Sequence, residues 1–319
     1  MKKEKKRLII IDSNSVIHRA FHALPPLTTK KGEIVNAVYG FLLVFLKAIK
    51  EFEPDYIAAC FDFPAPTFRH KKFKEYKAKR PKAPDELYEQ FPKVKQVLKA
   101  FDVEILEKEG FEADDIIGTI SKKFPKKQIL PEVEIIILSG DLDTLQLVDK
   151  YTKVYLLKKG VKNTVLYNEE LVKERYSGLS FDQLIDLRAL RGDPSDNIPG
   201  VTGIGEKTAI NLLKEFGTLE NIYEQIEKKG EGLKTVKPRI QKLLIEQKEQ
   251  AFFSQELATI YKNVPIKVSP KVYKWDKYDK NKAIKVLEEF GFSSLIKRLS
   301  EKPEKEKKQK KSARELTLW

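Results

Sequence analysis

The chain has 319 residues, enough for about two domains, and at 41% hydrophobic it can build real cores. No apolar run reaches the roughly 18 residues of a membrane span, and the basic start MKKEKKRLIIID carries too short an apolar stretch for a signal peptide, so a cytoplasmic protein is expected. Lys and Arg total 61 against 47 Asp and Glu, a net charge of +14 that seeks a polyanion, while the single Cys60 excludes internal disulfides and a thiolate zinc site.

Residues 7–12 (RLIIID) and 56–62 (YIAACFD) are short continuous apolar runs, the pattern of buried parallel strands. Between them, 36–49 (NAVYGFLLVFLKAI) is long enough for a buried helix, which makes a parallel crossover unit. Residues 86–101 predict a helix that Pro92 bends or resets. A further helix is expected over 113–124 and a strand over 133–138. TKVYLL and NTVLY, separated by KKGVK, predict a hairpin with Gly160 in its turn. From about residue 170 the pattern is helical, with strand character only in short stretches near 265–275. An α/β domain followed by a mostly helical one is therefore expected. Residues 300–319 differ in kind: a Lys/Glu run, expected to be disordered, precedes an apolar terminus.

Carboxylates gather at the corners of this pattern. Asp12, Asp62, Asp141 and Asp143 follow apolar runs, Glu112, Asp114 and Asp115 open a helix, and Asp193 and Asp196 sit in RGDPSDNIPG. In an open parallel sheet, ligands bind beyond the carboxyl ends of the strands. One Asp there is an ordinary turn or cap residue, but three strands doing the same thing is not. Capping and the helix dipole explain one or two of the acids at 112–115, and Asx-turns compete for Asp193 and Asp196. A cluster of acids needs a cation, and hard oxygen ligands select Mg²⁺ or Mn²⁺. His18, His22 and His70 lack zinc-ligand spacing. Two-metal sites hold ions about 4 Å apart and need more than four carboxylates.

Two segments suit phosphate. RHKKFKEYKAKRPK (69–82) holds eight Lys/Arg and one acid with Phe73 and Tyr76 interleaved, which fits single-stranded nucleic acid, though a solvated charged helix shares that composition. GVTGIGEKTAINLL opens a helix from a Gly-rich turn. It is not a P-loop, because Glu206 intervenes before Lys207 and Thr208. Gly203-x-Gly205 followed by Lys207 instead fits a helix–hairpin–helix turn that grips duplex backbone.

The landmarks IDSNSVIHRAFHALPPLTT, AVYGF, CFDFPAPTFRH, EYKAKRP, GFEADDIIG, SGDLDTLQLV and LRGDPSDNIPGVTGIGEKTA, in this order, resemble the 5′-nuclease domain of bacterial DNA polymerase I and the wider flap endonuclease family, over roughly residues 7–295. The resemblance implies a PIN-like parallel-sheet α/β nuclease domain over 1–174, with a helical arch at about 64–90. It implies a helical domain with a helix–hairpin–helix-type duplex clamp over 175–299, ahead of the 300–319 tail.

By the same resemblance, Asp12, Asp62, Glu112 and Asp114 form a first metal site. Asp141, Asp143 and Asp193 form a second, with Asp114 shared, and Asp115 and Asp196 complete the set. Lys77 and Arg80 match residues that hold the scissile phosphate, Tyr76 a base-stacking aromatic, and Arg19 and Arg69 further phosphate contacts. The Gly203–Thr208 turn resembles one that binds duplex phosphate through K⁺. Glu315-Leu316-Thr317-Leu318-Trp319 resembles the bacterial sliding-clamp-binding pentapeptide, with Glu315 where a Gln usually leads.

No polymerase follows Trp319, so a stand-alone nuclease or a fragment is expected. The implied activity is that of a monomeric Mg²⁺-dependent 5′-3′ exonuclease and flap endonuclease. Its expected substrates are DNA with 5′ flaps, nicked or branched duplex, and RNA primers on DNA, in replication and repair. A PIN-type ribonuclease and a non-catalytic DNA-structure-binding module are the rival readings; the second domain with its duplex-gripping turn argues against the first, and the complete acidic set against the second.

Overall fold

The computed structural model describes residues 5–228, 230, 234–275 and 278–300. A six-stranded sheet runs in the order β3-β2-β1-β4-β5-β6. Strands β1 (Lys6–Asp12), β2 (Tyr56–Cys60), β3 (Glu104–Leu106), β4 (Val133–Ser139) and β5 (Thr152–Leu157) are parallel, and β6 (Thr164–Tyr167) closes an antiparallel hairpin on β5. The chain works outward from β1 through β2 to β3, then returns to place β4 on the other flank of β1. The strand order therefore switches between β1 and β4, and the crevice at their carboxyl ends is where such sheets bind ligands.

The apolar strand runs are buried on both faces. Ile9 and Ile11 of β1 enter one core and Leu8 and Ile10 the other, as the two-residue period of a strand requires. The first core is covered by α1 (Ser13–Ala23), α2 (Asn36–Phe52) and α5 (Gln90–Ala100). Two short helices, α3 (Phe68–Lys72) and α4 (Asp85–Tyr88), precede α5. The opposite face is covered by α6 (Ala113–Lys123) and continues without a break into the helical segment.

That segment comprises α7 (Glu169–Arg175), α8 (Gln183–Arg191), α9 (Glu206–Phe216), α10 (Leu219–Lys228), α11 (Pro238–Glu246) and α12 (Lys248–Ala258). After α13 (Pro270–Tyr273), helices α14 (Lys280–Glu289) and α15 (Ser293–Ser300) return to the first core, where Ala283, Leu287, Phe292 and Leu295 pack with α2 and α5. No helix among the described residues is long and apolar enough to cross a membrane.

One local expectation holds and two change. The helix expected over 86–101 is broken at Glu89, three residues before Pro92; Pro92 lacks the N–H that would bond to the carbonyl of Tyr88. The stretch near 265–275 holds the single turn of α13 and one isolated bridge, Lys274 to Tyr56, rather than a strand. The segment expected to arch as a helix over 64–90 is α3 and α4 joined by a run of turns, with Lys77 at φ 57°. Residues 301–319, including Leu316, Leu318 and Trp319 of the expected clamp motif, lie outside the described residues.

Candidate active site

Acids at the switch point are oriented by the fold before any ligand is considered. Asp12 ends β1 and caps α1, accepting from the Ser15 amide at 3.1 Å. Its other oxygen accepts from Ser139 Oγ, at the end of β4, at 2.6 Å. Asp141 caps the 3-10 helix Leu142–Leu147 through the Asp143 amide at 2.9 Å. Asp62 accepts from Asn14 Nδ2 at 2.8 Å and from the Ala113 amide at 2.7 Å, tying the end of β2 to the start of α6. These are cap and turn contacts, and each still leaves carboxylate lone pairs over. The Asp114 carboxylate, which lines the cavity, makes no hydrogen bond or ion pair to a described residue.

Asp12, Asp62, Glu112, Asp114 and Asp141 line one cavity of about 370 Å³, together with Arg19, Lys77 and Arg80. Burial, then repulsion from Asp141 and Asp62, pushes Asp12 up to about 7 against the Ser139 hydrogen bond. Burial, followed by Asp12 and Asp141, pushes Asp114 well above the usual carboxylate range. Burial would raise Glu112 too, but Lys77 and Arg69 hold it below its ordinary value. Lys77 Nζ lies 2.6 Å from Glu112 Oε1 and 3.8 Å from Asp196 Oδ2.

Asp143 and Asp193 line an adjoining groove with Arg19, Arg80, Arg188 and Arg191. Asp143 is pushed up to about 8, chiefly by burial and then by Asp141, even though Arg188 pairs with it. Asp193 and Asp196 sit in a loop whose neck is closed by Gly192 and Gly200. Both have positive φ, and a Cβ on Gly200 would stand 2.1 Å from the Gly192 nitrogen. Inside the loop Asp193 accepts from Ser195 Oγ at 2.6 Å, and Asp196 pairs with Arg80.

Three residues are placed otherwise than the resemblance implied. Arg69 is 2% exposed, so it is not a phosphate contact. It donates to both oxygens of Asp115 at 2.8 Å, to Glu112 at 3.1 Å, and to the carbonyls of Leu257 and Thr259 at 3.0 and 2.7 Å. Asp115, fully buried, also accepts from the amides of Glu112 and Tyr261, which leaves it holding the fold rather than facing the cavity. Tyr76 is buried at 3% exposure and donates to Glu112 or Asp196, each at 3.1 Å, so its ring is not open to a base. The interleaved composition of 69–82 could not show that these two side chains turn inward.

Sequence reasoning missed Arg188, Ser139 and Asn14. Arg188 sits in the helical pattern LRALRGD and gives no signal of burial; Ser139 precedes Asp141 and Asn14 follows Asp12, and each is overshadowed by its acid.

The five acids of the cavity fit a hard divalent cation. All five line the one cavity, and burial, followed by repulsion from neighbouring carboxylates, drives Asp12 and Asp114 toward protonation. Among the described residues, however, no group of three or more His, Cys, Asp or Glu side chains stands ready-made around one ion. Lys77, Arg80, Arg69 and Arg188 already occupy several carboxylate oxygens. Arg19 reaches the Gly140 carbonyl at 2.9 Å and lines both cavities. On the helical side Gly203, Gly205 and Lys207 are exposed at the start of α9, with Thr208 half-buried beside them. The turn is pinned from behind: Gln247 accepts from the Thr202 amide at 2.7 Å and donates to its carbonyl at 3.1 Å.

The family model for the "5'-3' exonuclease, N-terminal resolvase-like domain" matches residues 7–177, and that for the "5'-3' exonuclease, C-terminal SAM fold" matches 179–281. The chain belongs to the 5′-3′ exonuclease family. A 5′-3′ exonuclease of Aquifex aeolicus is 38% identical over 292 residues, covering 92% of this chain and 94% of its own. DNA polymerase I of Bacillus subtilis is 42% identical over 299 residues, covering 93% of this chain and 33% of its own, so this chain spans about a third of such relatives. The flap endonuclease of bacteriophage T5, solved with DNA and metal ions, superposes with a TM-score of 0.66 at 18% identity, covering 93% of this chain and all of that one. Flap endonuclease-1 from Methanococcus jannaschii gives 0.53 at 21% identity, covering 93% and 91%. The parallel sheet followed by a SAM-like helical unit is thus the fold of this exonuclease family.

Proposed function

We propose that this member of the 5′-3′ exonuclease family hydrolyses phosphodiesters at 5′ flaps and at the 5′ ends of nicked or branched duplex, DNA and RNA primer alike, in replication and repair in the cytoplasm. One observation carries the reading: five carboxylates converge on a cavity at the carboxyl ends of β1 and β4, directly beside Lys77 and Arg80. Asp12, Asp62, Glu112, Asp114 and Asp141 would hold Mg²⁺, or Mn²⁺ in its place, with Asp143 and Asp193 serving a second ion and Asp196 behind them. Bound there, the ions supply an activated water and neutralise charge on the leaving oxygen.

The chain's own residues do the rest. Lys77 and Arg80 draw the phosphate toward the acids and offset charge in the transition state. Their present partners are the same acids, so phosphate and cation must exchange with these contacts. Arg19, anchored on Gly140, adds a third positive charge along the cavity wall. The exposed amides of Gly203 and Gly205, with Lys207 and Thr208, grip duplex backbone, where K⁺ can bridge to phosphate. In this arrangement 1–174 cuts and 175–299 holds duplex, as one monomer.

A test is the chemistry of the ends. Incubation with a nicked 5′-flap substrate should leave a downstream strand that DNA ligase seals, which requires a 5′-phosphate; a product that cannot be ligated would contradict this cleavage polarity. Residues 315–319 would bind the sliding clamp. Their deletion should abolish clamp capture in a pulldown and keep basal cleavage, and full-length protein that captures no clamp disproves it.

A further inference from the structure

Arg188 is the cation that the acidic set cannot shed. It lies on α8, whose Leu184, Leu187, Ala189 and Leu190 are all buried, and its side chain is only 6% exposed. Its Nη2 pairs with Asp143, and its Nε stands 3.3 Å from Asp193 Oδ2. That Nε is buried and has no aligned hydrogen bond of its own, so it faces Asp193 as a charge rather than as a saturated donor. The Gly192 amide, bonded to the Arg188 carbonyl at 2.8 Å, ends the helix and launches Asp193 into its loop.

Of the cations on the other acids, Arg69 is equally buried, but both its Nη atoms are engaged by Asp115. Lys77 and Arg80 ride on the run of turns after α3, with side chains 21% and 48% exposed, and they can swing aside. Arg188 is fixed by the packing of its helix and stays when a cation arrives.

We propose that Arg188 is a positioning residue that acts as a built-in counter-charge: it holds Asp143 and Asp193 in register and keeps their half of the acidic set a weaker divalent-cation site than the half formed by Asp12, Asp62, Glu112, Asp114 and Asp141. This rests on the metal reading above. With Arg188 in place, the Asp143–Asp193 pair, ionised as cation binding requires, presents one net negative charge instead of two. A unit charge about 6 Å from a divalent ion weakens its binding roughly tenfold even at the dielectric of bulk water. The second ion is then retained only when another negative group, such as a substrate phosphate, joins the site, so that cation loading and substrate arrival are linked.

The experiment is a Mn²⁺ titration of the full chain without DNA, followed by calorimetry and by the electron paramagnetic resonance of free Mn²⁺. Wild type should show a tighter and a weaker class of site. In Arg188→Met the weaker class should tighten by about tenfold, while Arg188→Lys, which keeps the charge, should stay within about twofold of wild type. If Arg188→Met does not fold, Arg188→Gln, neutral but able to hydrogen-bond both acids, carries the same comparison. A weaker class that is unchanged or loosened in the neutral variants overturns the inference, as does a Lys variant that behaves like Met. Wild type that takes up no Mn²⁺ overturns the metal reading and this inference with it.

Discussion

Arg69 and Asp115 form a bidentate ion pair inside the protein, Nη2 to Oδ1 and Nη1 to Oδ2 both at 2.8 Å, with neither side chain more than 3% exposed. The pair ties α3, at the root of the basic segment, to the start of α6 and, through the Leu257 and Thr259 carbonyls, to the end of α12. Breaking one side leaves a buried charge alone, which costs about 3–5 kcal/mol. Asp115→Ala should lower the unfolding free energy by about that much in denaturant titration, and Arg69→Met combined with Asp115→Leu should recover a large part of the loss. A single variant as stable as wild type would remove the pair from the framework.

Asp114 lines the cavity, and among the described residues its carboxylate has no hydrogen bond or ion pair. Asp114→Asn keeps its shape and removes its charge. It should abolish cleavage in Mg²⁺ while flap binding, measured by fluorescence anisotropy, changes little. An active variant would take Asp114 out of the metal set.

Lys77→Ala should slow single-turnover cleavage by roughly 10²–10³-fold, the scale of losing a preorganised charge beside the reacting phosphate. Duplex affinity, which the proposed function assigns to the turn at Gly203 and Gly205, should fall far less. Near-normal rates would remove Lys77 from the reaction.

The raised acids make stability without metal depend on pH. Asp12 sits at about 7 and Asp143 at about 8 in the fold, against 3.8 as their ordinary value. Groups raised in this way contribute stability that is complete below the unfolded value and is lost as pH rises through the folded ones. His18 and His70 are lowered, chiefly by burial, and act in the opposite sense only below their ordinary 6.5. In EDTA the melting temperature should therefore fall between about pH 6.5 and about pH 8.5, and Mg²⁺ should offset the fall. A flat profile in EDTA would contradict the electrostatics of the cavity.

Gly200→Ala forces a side chain into a left-handed backbone position and against the Gly192 nitrogen. It should cost at least about 2 kcal/mol and displace Asp193 and Asp196 with the loop. Gly205→Ala, whose Cβ meets nothing within 4 Å, should cost less than about 1 kcal/mol. Equal melting temperatures for the two variants would contradict the closed loop neck.

The sheet was legible because β1, β2 and β4 are unbroken apolar runs, and in a parallel sheet such runs deliver whatever follows them to one edge. Asp12 and Asp141 could be expected together on that ground. The three residues of β3 are too few to show a period, and Lys274 joins β2 through a single bridge that no local pattern encodes. What escaped was the pairing of charges. Arg69 and Arg188 look like surface residues in their segments, and their burial depends on acids 46 and 45 positions away. Long-range placement also gives the caps a second place: Asp12, Asp141 and Glu112 are cap residues by local geometry and cavity residues by tertiary placement.

The most direct measurement is cleavage of a 5′-labelled single-flap duplex in Mg²⁺ and in EDTA, with the cut position mapped on a sequencing gel. The cavity of carboxylates beside Lys77 and Arg80 predicts incision at the junction of single strand and duplex in Mg²⁺ and none in EDTA. Cleavage that persists in EDTA, or an intact flap in Mg²⁺, would contradict it.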